Sequence, residues 1–128
     1  MEIIPDCPFC YDNIKSKTVK ELNSVLAIKD NSPVTEGHLL IIPKRHCLDF
    51  FHMTLEEQID ANKLLLTLQK QILKKHSTVT GFNIGVNSGG SAGQTIFHCH
   101  IHLIPRRDGD TSEPRGGVRG VIPDKMNY

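Results

Sequence analysis

Residues 97–104, Phe97-His98-Cys99-His100-Ile101-His102-Leu103-Ile104, alternate apolar and histidine side chains. Successive side chains of a β-strand point to opposite faces. A strand over this stretch therefore sends Phe97, Cys99, Ile101 and Leu103 to one face and His98, His100 and His102 to the other. Same-face neighbours are then roughly 6.6 to 6.8 Å apart, twice the strand rise. Three of the chain's seven histidines fall within five residues. A merely solvated strand face favours mixed polar residues such as Thr, Lys or Glu, which makes that reading the weakest. Two others stand: a metal site, because neutral imidazole is a common ligand, and catalysis, because histidine titrates near neutrality.

The rest of the chain bounds the setting. A length of 128 residues suits one domain, residues 1–128, with its own core. A net charge of +1 provides no global field, which argues against nucleic acid as a partner. No apolar run approaches the ~18 residues of a membrane span, and Met1-Glu2-Ile3-Ile4-Pro5-Asp6 has no signal-peptide pattern. Four cysteines without a secretion signal read as reduced thiols or metal ligands in the cytoplasm. Cys7-Pro8-Phe9-Cys10 has the Cys-x-x-Cys spacing of half a tetrahedral zinc site. Any zinc there must recruit histidines from elsewhere.

Coarse periodicity orders the elements. Leu22 to Lys29 reads as a buried strand ended by the turn residues Asp30-Asn31-Ser32-Pro33, and Gly37 to Pro43 as its antiparallel partner. Thr54-Leu55-Glu56-Glu57 has capping-box form, and Ala61, Leu64, Leu65, Leu68 and Ile72 continue a helix to about His76. Gly81 to Asn87 alternates as a strand. Ser88 to Gln94 then forms a Gly-rich loop whose amides suit close approach to a phosphate. The segment 106–128 is rich in Arg, Gly and Pro, and Gly117 to Pro123 reads as a short strand.

His98-Cys99-His100-Ile101-His102-Leu103-Ile104 resembles the signature of the histidine triad (HIT) family of nucleotide hydrolases and transferases, the Hint- and Fhit-like proteins. Asp30 to Pro33, Gly37 to His46, Asn87 and Gly93-Gln94-Thr95 resemble that family's neighbouring blocks. The resemblance implies an α+β fold: about five antiparallel strands, one long helix and a short N-terminal helix, in a homodimer with a continuous sheet. It implies that His100 attacks the α-phosphate of a purine nucleotide derivative, a phosphoramidate or dinucleoside polyphosphate, through a nucleotidyl–histidine intermediate. His102 and His38 would bind the phosphate, and Gly93, Gln94 and Thr95 would contact the nucleotide, Gln94 and Thr95 at the phosphate oxygens or the leaving group. Asp30 and Asn31 match ribose and base contacts, and Asn87 a phosphate contact. Transfer to phosphate or a sugar phosphate is the alternative within the family, and a nucleotide-binding regulator without catalysis is a further one. Cys7, Cys10, His46 and His98 match a closed structural zinc site, whereas a three-histidine zinc would consume the nucleophile. No organic cofactor is implied.

Overall fold

The computed structural model describes residues 4–128. Met1 to Ile3, on which the leader reading partly rests, lie outside it. Five strands form one antiparallel sheet: β1 (Lys20–Leu22), β2 (Val25–Lys29), β3 (Leu39–Pro43), β4 (Val79–Gly85) and β5 (Ile101–Arg107). Their order is β1-β2-β3-β5-β4, so the histidine-bearing strand pairs with β3 on one side and β4 on the other. Helices α1 (Tyr11–Ile14), α2 (Leu55–Lys75) and α3 (Gly116–Arg119) complete the chain.

Strands β2 and β3 are almost continuously apolar because both of their faces are covered. On one face Val25, Ala27, Leu39 and Ile41 pack with Ala61, Leu64, Leu68 and Ile72 of α2. On the other, Leu26, Ile28, Leu40 and Ile42 pack with Ile14, Phe9 and Tyr11. The N-terminal segment is thus the second layer of the fold, and it lies on the face that carries His102. Helix α2 starts at the expected capping box. Thr54 Oγ1 accepts from the Glu57 amide at 3.1 Å, and Glu57 Oε1 accepts from the Thr54 amide at 2.8 Å. No helix among the described residues is long and apolar enough to cross a membrane.

Three readings are corrected. Leu22 to Lys29 is not one strand but part of a hairpin, turned at Asn23 with φ +52°. The Asp60 carboxylate on α2 receives the Ser24 hydroxyl at 2.6 Å and amide at 3.2 Å, which pins the turn. Gly117 to Pro123 is a short helix and turn, not a strand. Gly120 donates its amide to Gly116 O, and a Cβ on Gly117 would lie 2.7 Å from the Asn83 side-chain amide. Any larger residue there would push aside the Asn83 side chain, which accepts from Arg106. Finally, the histidine strand begins at Ile101, not Phe97. Pairing with β3 stops at Ile41, and beyond it Pro43 has no N–H to extend the ladder. The free Pro43 carbonyl accepts from His98 instead, and Phe97 is exposed rather than in the core.

Candidate functional site

His98, His100 and His102 each have a different backbone or side-chain anchor. His98 is fully buried, and its Nε2 lies 2.8 Å from Pro43 O. A carbonyl only accepts, so Nε2 carries the proton and Nδ1 presents a lone pair. That lone pair faces Cys7 Sγ at 3.3 Å and Cys10 Sγ at 3.8 Å. His46 Nδ1 is 3.4 Å from Cys10 Sγ. All four donor atoms lie within 4.8 Å of one another. Sulfur and nitrogen ligands of a tetrahedral zinc are roughly 3.6 Å apart, from bonds of ~2.3 and ~2.05 Å. The observed spacings fit. Burial pushes the His98 imidazole down to about 4, so it is neutral at pH 7, the form that could ligate a metal. The other two cysteines, Cys47 and Cys99, belong to the core under α2, and burial raises both thiols, Cys99 to about 12.

His100 places Nδ1 2.9 Å from His98 O, so that nitrogen donates and Nε2 is left with a lone pair. A neutral imidazole held in one tautomer is a competent nucleophile. The Phe9 ring meets it edge-on, with centroids 4.9 Å apart. Sequence reasoning assigned no role to Phe9, although its place between Cys7 and Cys10 was visible.

At the other end the protons run in one direction. The Val34 amide donates to His38 Nδ1 at 3.0 Å, so the His38 proton is on Nε2. That N–H donates to His102 Nδ1 at 2.9 Å, which leaves the His102 proton on its own Nε2. The row therefore offers a lone pair at His100 beside an N–H donor at His102, their rings 5.4 Å apart. Asp30 Oδ2 stands 3.4 Å from His38 Nε2 and 3.9 Å from His102 Nδ1, and its Oδ1 accepts from the Ser32 amide. Desolvation lowers both His38 and His102, against the pull of Asp30.

The remaining expected residues separate into two groups. Asn31, Asn87, Gly93 and Thr95 are on loops. The Asn87 amide packs beside Gly93, whose φ of +93° suits a residue without Cβ. Gln94 is different, because its buried side chain is spent on the loop itself. Its Oε1 accepts from the Gly89 amide at 2.8 Å, and its Nε2 donates to Leu48 O and Ile96 O. Gln94 fixes the loop that presents Thr95.

The model of the HIT domain matches residues 12–109. A HIT-like protein of Methanocaldococcus jannaschii is 38% identical over 124 residues, covering 94% of this chain and 95% of that protein. The adenylylsulfatase HINT3 of Arabidopsis thaliana is 39% identical over 82% of this chain and 54% of its own length. The crystal structure of a zinc-bound histidine triad family protein from Mycobacterium smegmatis superposes with a TM-score of 0.74 and 32% identity, covering 83% of this chain and 78% of that one. The alternating histidines, their strand and the sheet around them thus have one source: the chain belongs to the HIT domain family.

Proposed function

We propose that the protein is a nucleotide hydrolase that cleaves at the α-phosphate of purine nucleoside phosphoramidates or dinucleoside polyphosphates. The observation that carries this reading is the opposed polarity of neighbouring rings: a lone pair on His100 Nε2 and a proton on His102 Nε2. His100 Nε2 bonds to phosphorus while the bond to the leaving group breaks. The leaving group takes the electron pair and a proton from solvent, and the Thr95 hydroxyl is assigned to hydrogen-bond it. Water then cleaves the phosphorus–His100 bond and restores the neutral imidazole. His102, backed by His38, donates to the phosphoryl oxygens as their charge grows. Asp30 and Asn31 hold the nucleoside, and Asn87 and the Gly93–Thr95 loop hold the phosphate side.

Cys7, Cys10, His46 and His98 hold a structural Zn²⁺ in this reading. A closed site of this kind supplies no chemistry to the reaction but ties the N-terminal layer to the sheet. A homodimer with a continuous sheet has support in two features. Strand β4 is an open edge of seven residues, and α2 exposes Ile59, Leu66 and Leu73 in a stripe of seven-residue spacing. A single cytoplasmic domain completes the reading.

Rapid quench with adenosine 5′-phosphoramidate, followed by intact mass, tests the chemistry. Wild type is expected to carry a transient AMP adduct that His100→Asn lacks while its zinc content is unchanged. Loss of zinc from His100→Asn, with no adduct on wild type, overturns the nucleophile in favour of a three-histidine metal.

A further inference from the structure

The core under α2 does not close at the carboxyl-terminal end of that helix. A cavity of about 410 Å³ lies there between the helix and strands β2 and β3. It is on the α2 side of the sheet, whereas His102 is on the side of the N-terminal layer. Val19, Pro33, Leu39, Leu68 and Ile72 give it an aliphatic wall, of which Leu39, Leu68 and Ile72 are buried. A concave apolar wall with a few convergent charged groups is the usual form of a small-molecule site.

The charged groups are two lysines at positions where the pattern calls for core residues. Val25 and Ala27 of β2 pack under α2, and Lys29 falls on the same face, paired across the ladder with Leu39. On the helix Leu64, Leu68 and Ile72 point inward, and Lys75 follows them at helical spacing on the same side. Both lysines line the cavity. Among the described residues neither pairs with a carboxylate. The two acids on the lining are engaged elsewhere: Asp30 with His38 and the Ser32 amide, and Glu36 with His76 at 3.6 Å. Lysine stems can cover the end of a core by themselves, but here the aliphatic wall stays open beneath them. Two unpaired cations above such a wall match a chain that ends in one carboxylate. A compact anion would gain nothing from the wall, and an amine would meet like charge. The C-terminal end of a helix opposes an anion, and Lys74 and Lys75 in its last turn offset that.

We propose that this cavity is a second small-molecule site that binds an amphipathic monocarboxylate, its chain against Leu39, Leu68 and Ile72 and its carboxylate between Lys29 and Lys75. The inference stands on this face of the sheet and does not depend on the function proposed above. Asp30 and His38 line the cavity and also stand in the histidine cluster, so the loop between them is the physical link from one site to the other.

Titration calorimetry with octanoate tests the site, beside butyrate, octanol and octylamine. Wild type is compared with Lys29→Glu, Lys75→Glu and the double variant, all at exposed positions, with melting temperatures as the check on folding. Octanoate is expected to saturate the wild-type chain and to bind at least about tenfold tighter than butyrate, whose chain is shorter. Octanol and octylamine are expected to bind more weakly than octanoate. Each single variant should weaken octanoate about threefold or more, and the double variant should prefer octylamine to octanoate, a reversal that loss of folding cannot produce. No saturable binding of octanoate to wild type, an affinity no better than that of butyrate or octanol, or an affinity unchanged in the folded double variant overturns the site.

Discussion

Two clusters of histidine and acidic or thiol side chains flank His100, and by composition both look able to hold a metal. One is Cys7, Cys10, His46 and His98; the other is Asp30, His38 and His102. What separates them is one backbone atom apiece. Pro43 O takes the Nε2 proton of His98, which turns a lone pair toward the thiols. The Val34 amide instead fills Nδ1 of His38, which forces its proton onto Nε2 and into the bond with His102. A metal on His38 Nε2 would need that proton moved to Nδ1, against the Val34 N–H. The second cluster is thus a chain of hydrogen-bonded rings, and the first has the lone pairs and spacing that suit a ligand set. A backbone donor or acceptor decides between them, not the residue types.

The largest effect should come from breaking the ligand set. Cys10→Ser is expected to release the metal and to lower the melting temperature by about 10 °C or more, since binding energy at such a site is folding energy. Metal analysis and calorimetry measure both. EDTA on wild type should reproduce the loss, and a fully stable metal-free protein would remove the structural role.

Breaking the chain of rings should instead spare the metal. His38→Ala is expected to lower kcat/KM about 10- to 100-fold, roughly 1.4 to 2.7 kcal/mol, with zinc content retained. Equal loss of metal in this variant would mean that the two clusters are not separate.

The pH dependence sharpens the same contrast. Desolvation holds His38 and His102 below the ordinary imidazole value of 6.5. The unfolded chain therefore takes these protons first as pH falls. Stability is full above 6.5 and declines as pH drops through the folded values. Urea melts across pH 4 to 8 should follow that slope, and His38→Ala should flatten it.

Phe9→Ala carries the smallest expected change. Loss of its edge contact with His100 should cost about 0.5 to 1.5 kcal/mol of transition-state stabilisation, a few-fold in kcat/KM. Phe9→Leu tests whether bulk alone holds the ring. Full activity in both would detach Phe9 from the positioning of His100.

Much of the arrangement was legible in local pattern. The capping box at Thr54 and Glu57 and the apolar stripe from Ala61 to Ile72 are repeats within one turn or two, so they survive any tertiary context. The apolar runs around Leu26 and Ile41 marked strands covered on both faces. The alternation 97–104 exposed the histidines but misplaced Phe97 and His98, because a strand continues only while a neighbour supplies partners. Pro43 ends that supply. The hairpin at Asn23 was hidden because its clamp, Asp60, is 36 to 37 residues away on α2. That the Gln94 side chain also braces its own loop was hidden because nothing local announces Leu48 O as its acceptor.

By itself, then, the amino-acid order determined which side chains exist to do chemistry and which elements carry them, since periodicity and capping act over a few residues. Tertiary structure alone decided what each imidazole is. A histidine ring is ligand, nucleophile or donor according to which nitrogen holds its proton. The atoms that set this, Pro43 O, His98 O and the Val34 amide, reach the rings only when the sheet and its turns have formed.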